Sequence, residues 1–168
     1  MSLVIKAVLL TGGLGAGKTA VATEIGEILH ESGVPYAVID LDWLCWCGPS
    51  MDVHGLLETN LAAVWHNYQA AGIRHLVLAR ALLKPGHLAA VRRALPGVSI
   101  TVVRLTAAPE RIRQRLRSRD SGATLAGHLS EMDEFTAQVE RAALEDHIVM
   151  NDDRPIHEVA KQVLSLVG

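Results

Sequence analysis

Eight residues, Gly12-Gly13-Leu14-Gly15-Ala16-Gly17-Lys18-Thr19, stand between a short apolar run at 4–10 and a segment of helical periodicity. They match G-x-x-x-x-G-K-[ST] in full, in the strand-then-helix setting the pattern needs. Each residue type has a physical reason. The glycines let the backbone turn with positive φ, so that the N–H groups of this stretch, those of Gly13, Leu14, Gly15, Ala16 and Gly17 included, approach phosphate oxygens. The helix starting near Lys18 points its positive dipole end at the same anion. Lys18 reaches the outer phosphates, and the Thr19 hydroxyl is a ligand for Mg²⁺. The motif therefore predicts binding of ATP or a close relative.

A chain of 168 residues predicts one domain, 1–168, with one core, and 49% apolar residues supply enough burial to offset the ordering entropy. Sixteen basic and eighteen acidic residues nearly cancel, so no global charge argues for nucleic acid or a membrane surface. No apolar run is long enough to span a bilayer, and no signal peptide is evident at the N-terminus, where Met1-Ser2-Leu3 reads in part as a cloning remnant. Cys45 and Cys47 are too few for a disulfide framework, and the expected compartment is the cytoplasm. Monomer and homodimer are both compatible with the sequence.

Strand and helix signals alternate along the chain. Residues 4–10, 35–41, 74–79, 99–105 and 147–150 read as strands. Helices are expected over 18–32, stopped by Gly33, from Val53 to about Gly72 after a Gly48-Pro49 break, around Leu88–Leu95, from Pro109, from Leu129, and from Pro155. Residues 119–128, polar and glycine-containing, read as a loop able to close over a ligand. Five apolar strands separated by helices predict a parallel sheet covered on both faces, an α/β fold. Ligands of such sheets bind at the carboxyl ends of strands, so polar residues there are candidates.

Asp40 and Asp42 close the second strand. Read as extended chain, they point to one side, where one carboxylate can hold magnesium and the other can orient or deprotonate an acceptor hydroxyl. Arg80, after the third strand, can grip an anionic substrate or simply be a surface arginine. Arg111, Arg115 and Arg119 share one side of the helix after Pro109, and Arg113 and Arg117 the other. Arginines from such a helix can neutralise charge on a transferred phosphoryl group or stack on a base. Trp43 and Trp46 can line an acceptor pocket or pack in the core, and the two cysteines make a weak metal site. Among the histidines His128, at the end of the candidate lid, is the one to watch. Asn151-Asp152-Asp153-Arg154 follows the fifth strand, near where a base could sit, and reads most simply as a helix cap before Pro155.

Four features in order resemble the small-molecule branch of the P-loop kinases, which includes shikimate, gluconate and adenylylsulfate kinases and is related to the nucleoside monophosphate kinases. They are GGLGAGKT at 12–19, VIDLDWL at 38–44, RLRSR at 115–119 and HIVMND at 147–152. The resemblance implies a three-layer P-loop NTPase fold, a five-stranded parallel sheet in order 2-3-1-4-5, and a mobile lid at 119–128. It implies ATP with Mg²⁺ as donor and a small-molecule acceptor. Carried over, Asp40 sits near magnesium, Asp42 contacts the acceptor, Arg119 lies over adenine and Arg115 is the arginine preceding it. Three departures stand out. No glycine cluster follows Ala79-Arg80, no aspartate ends the third strand, and Gly127-His128-Leu129 only echoes the Gly-His-Phe lid run of gluconate kinases. The expected activity is transfer of the γ-phosphoryl group of ATP to a small molecule. The alternatives are an ATPase or sensor that switches a protein partner, and a binder without chemistry.

Overall fold

The computed structural model describes residues 5–48 and 52–167. Val4 of the expected first strand, Met1-Ser2-Leu3, and Pro49 of the expected break lie outside those residues. Five strands form one parallel sheet: β1 (Ile5–Thr11), β2 (Tyr36–Asp40), β3 (His75–Ala79), β4 (Val98–Thr106) and β5 (His147–Met150), in the order β2-β3-β1-β4-β5. This is the expected order. Among the described residues five α-helices connect them, α1 (Lys18–Glu31), α2 (Val53–Ala70), α3 (Pro85–Ala94), α4 (Pro109–Arg119) and α5 (Gly122–Ala142), and α6 (Ile156–Leu166) follows β5.

The period-2 alternation of β1 distributes its side chains between two cores. Ala7 and Leu9 face Leu57, Leu61 and Trp65 of α2 and Leu88 and Val91 of α3. Val8 and Leu10 face Val21 and Ile25 of α1 and Val159 and Val163 of α6. Both faces of the sheet are therefore covered, as a parallel sheet requires. Helix α1 forms because Val21, Ile25 and Leu29 recur every fourth residue, and it stops where Gly33 takes φ +66°. Prolines at the first turns of α3 and α4 cost no hydrogen bond there.

Two expectations need correction. Residues 122–128 are the first turns of α5 rather than a loop. Leu125 and Leu129, four apart, pack with Ile112, Leu116 and Met132 in a third, smaller core that also takes in Leu14 of the glycine-rich loop. That packing outweighs the polar composition of the segment. Second, β2 ends at Asp40, and Leu41–Leu44 form a single 3₁₀ turn, so Asp42 is not part of an extended strand. The Asp40 carboxylate accepts the Asp42 N–H at 3.1 Å, a local side-chain bond that bends the chain.

Candidate functional site

The glycine-rich loop follows β1 and opens α1, with Gly12, Gly15 and Gly17 at φ +145°, +69° and +96°. Behind it the fit is tight. A Cβ at Gly13 would overlap the Thr136 hydroxyl of α5, and one at Gly17 would overlap the Asn151 amide. Lys18 lies within this frame, its Nζ donating to the carbonyls of Gly12 (3.1 Å) and Gly13 (3.0 Å). Burial lowers its pKa from 10.5 to about 8; the charges of Asp42 and Asp40 oppose the shift, and that of Arg119 adds to it. In front of the loop opens a cleft of about 780 Å³, bordered by Lys18, Thr19, Arg115, Arg119, Asn151 and Asp152. That volume suits a nucleotide-sized molecule.

The carboxylates at the end of β2 hold different partners. Asp40 accepts the Thr19 hydroxyl at 3.0 Å. Asp42 pairs with Arg80 at 3.2 Å. Arg80 is buried, 7% exposed, and also donates to the Cys45 thiol at 3.1 Å. It is thus a buried, paired cation rather than a surface arginine. The Asp42 side chain is 64% exposed; partial desolvation of its carboxyl, with the charge of Asp40 beside it, pushes its pKa above the usual value, against the pull of Arg80 and Lys18. Cys45 is buried and Cys47 exposed, both as free thiols. Trp43 and Trp46 are 70% and 75% exposed, with ring centroids 5.0 Å apart. They are therefore not core. Among the described residues no group of three or more His, Cys, Asp or Glu stands together as a metal site.

Helix α4 divides its arginines as the periodicity predicts. Arg111, Arg115 and Arg119 border the cleft, whereas Arg113 and Arg117 pair with Glu110. Arg115 donates to the carbonyls of Asn151 (2.6 Å) and Asp152 (3.2 Å) and, at 3.4 Å, to that of Gly15. Arg119 instead grips the neighbouring Asp120, which also contacts His128.

The segment after β5 does something the sequence did not indicate. The cap position of α6 is Pro155, with no side-chain cap. Asn151, buried, donates from Nδ2 to the Ala16 carbonyl at 2.8 Å and so braces the glycine-rich loop. Asp152 accepts the Ala108 N–H at 2.7 Å, at the start of α4, and Asp153 pairs with Arg111. The available signal was position. Asn151 is the first residue after a parallel strand, where the sheet presents its ligands.

No family model matches the sequence, and no curated protein matches it. Solved structures do. The chain is similar to the Mycobacterium tuberculosis APS kinase CysC, solved with AMPPNP and APS, at a TM-score of 0.65 and 26% identity over 96% of each chain. A gluconokinase from Sinorhizobium meliloti gives 0.60 at 20% identity, over 95% of this chain and 90% of its own. A shikimate kinase from Acinetobacter baumannii, solved with shikimate, gives 0.54 at 17% identity, over 97% and 92%. The fold is that of the P-loop small-molecule kinases. No helix among the described residues is long and apolar enough to cross a membrane.

Proposed function

We propose that the chain, as a single domain spanning 1–168, is an ATP-dependent phosphotransferase acting on a small-molecule acceptor. One observation carries this reading above all. The Asp42–Arg80 pair stands close enough to Lys18 for the charge of Asp42 to act on it, so a polar acceptor site adjoins the phosphate loop. The AMPPNP held by the similar APS kinase supports a nucleoside triphosphate in the 780 Å³ cleft.

Thr19, which borders the cleft, and Asp40, whose carboxylate lies 3.0 Å from the Thr19 hydroxyl, offer the hard oxygen donors that Mg²⁺ prefers and would hold it together with donor phosphate oxygens. When bound, the ion offsets charge on those oxygens. The backbone amides of 13–19 and Lys18 hold the triphosphate. Asp42, its carboxyl pushed above its usual pKa, orients the acceptor hydroxyl and takes its proton. Arg80 fixes the Asp42 carboxylate and offers a positive edge to an anionic acceptor. Arg119, whose charge reaches Lys18, serves the phosphate end, and Arg115, bonded to the backbone after β5, serves the base end. This allots the arginine beside adenine to Arg115 rather than Arg119.

A second reading, a nucleotide-dependent switch, draws on the exposed Trp43–Trp46 pair as a partner contact. One assay separates the two. ATP consumption with Mg²⁺ is measured across hydroxylated metabolites, antibiotics and nucleoside monophosphates, with Lys18→Ala as blank. Strong stimulation by one compound supports the kinase and names the acceptor. ATP binding without stimulation by any of them counts against the kinase and favours the switch or a binder without chemistry.

A further inference from the structure

Arg119 is the last residue of α4, and its guanidinium is held from one side only. Nε donates to Asp120 Oδ1 at 2.8 Å and Nη2 to Oδ2 at 2.9 Å, while Nη1 has no hydrogen bond among the described residues. Asp120 Oδ2 also contacts Nδ1 of His128 at 2.7 Å, and that ring lies 3.5 Å from Arg119 Nη2. A surface ion pair between sequence neighbours ordinarily contributes little. This one differs in two respects. The Asp120 side chain is only 10% exposed although Arg119 is 57% exposed. The same carboxylate joins two helices, because His128 lies on α5, whose start is anchored by Leu125 and Leu129. The hydrogen bonds from Arg119 and His128 hold the Asp120 carboxyl well below the usual carboxylate range, so it stays ionised. Arg119 borders the cleft, and its charge is among those acting on Lys18, which puts its field at the phosphate end.

We propose that Asp120 and His128 are positioning residues: together they fix the Arg119 guanidinium by its Nε/Nη2 edge and leave Nη1 free for the phosphates of a bound nucleotide. Arginine is a long side chain whose freedom must be given up on binding. With its fork already chelated, much of that loss is incurred on folding and not on binding. His128 acts one step further back, orienting the carboxylate from α5. The inference rests on the reading of the cleft as a nucleotide site and needs no acceptor for its test.

The test is calorimetric titration of MgATP and of inorganic tripolyphosphate into the wild-type chain, Arg119→Ala, Asp120→Asn, the double variant, His128→Ala and His128→Asn. Asp120→Asn weakens both compounds by about three- to tenfold, the cost of ordering one free arginine. The double variant is no weaker than Arg119→Ala alone, because Asp120 acts only through that arginine. His128→Ala weakens binding by a smaller factor, and His128→Asn, whose amide can donate to the carboxylate, restores it. An Asp120→Asn protein that binds like the wild type overturns the proposal. So does a loss that persists undiminished in the Arg119→Ala background, which marks a merely structural role. Should Asp120→Asn unfold, the His128 pair decides: failure of asparagine to restore what alanine loses overturns the assignment. A wild-type protein that binds neither compound overturns the nucleotide reading of the cleft, and the positioning roles with it.

Discussion

Replacing Lys18 with methionine is expected to stabilise the ligand-free protein while abolishing nucleotide binding. The magnitude follows from the buried charge. Burial lowers the lysine from 10.5 to about 8, and at about 1.36 kcal/mol per pH unit the charged form costs the fold about 3 kcal/mol. The pKa is lower in the folded state than in the unfolded chain. The cost is therefore present in full below about pH 8, shrinks as pH rises toward 10.5, and is absent above it. Two bonds offset part of the gain. Methionine loses the donors to the Gly12 and Gly13 carbonyls, each worth about 1 kcal/mol net, while keeping most of the apolar stem. The variant should thus be about 1–2 kcal/mol more stable at pH 7, or roughly 2–4 °C in melting temperature per kcal/mol for a chain of this size. Urea unfolding without nucleotide at pH 7 and again near pH 10 reads the difference, which should narrow at the higher pH. A variant less stable than the parent at pH 7, or a gap that does not move with pH, refutes the reasoning. The expected outcome would identify Lys18 as a residue kept for its ligand at the expense of the fold.

The same titration predicts that MgATP affinity is flat below about pH 8 and falls above it by up to about tenfold per pH unit, since the protonated lysine is the binding form. Calorimetry at pH 8.5 in buffers of different ionisation heat should show proton uptake, and its absence would mean that Lys18 is not the titrating group. Asp42→Asn should keep MgATP affinity and lower transfer by about 10²–10⁴-fold; a loss of affinity instead would move Asp42 from acceptor to metal. Because the Asp42 carboxyl titrates above its usual range, transfer should fall on acidification before an ordinary aspartate would protonate, a limb visible in a rate–pH profile. Gly17→Ala puts a Cβ against Asn151 at φ +96°, so nucleotide titration should show binding lost; wild-type affinity would mean that the loop tolerates a different geometry. Asn151→Ala should lower stability by about 1 kcal/mol in urea unfolding and weaken MgATP, because the Ala16 carbonyl loses its donor.

What the residues disclosed and what they hid divides along physical lines. The strands and most helices were legible because their apolar periodicities are the cores themselves: Val21, Ile25 and Leu29 recur as α1 buries them, and 147–150 is β5 as expected. The sheet order came from the resemblance, since periodicity says which residues are buried but not which strands are neighbours. The rule that ligands sit at strand ends pointed to Asp40 and Arg80, which the structure pairs with Thr19 and Asp42. It placed Asp42 nearby for an imperfect reason, because a side-chain bond from Asp40 turns the chain before Asp42 is reached. Residues 122–128 differ from the expected loop because Gly122, Thr124 and Gly127 disfavour a helix locally, while only Leu125, with Leu129 beyond it, marks the buried side of α5.

The harder omissions share one cause. Asn151 braces the loop through the Ala16 carbonyl, 135 positions away, and Arg115 bonds the carbonyls of Gly15, Asn151 and Asp152. A backbone carbonyl belongs to every residue, so no residue type advertises that it will be a partner. Motifs report the side chains that meet a ligand. The groups that hold those side chains in place bind to the main chain across long sequence separations, and only the fold brings them together. The glycine-rich loop was therefore readable from eight consecutive residues, whereas the Asn151 brace behind it and the close packing of Thr136 against Gly13 were not.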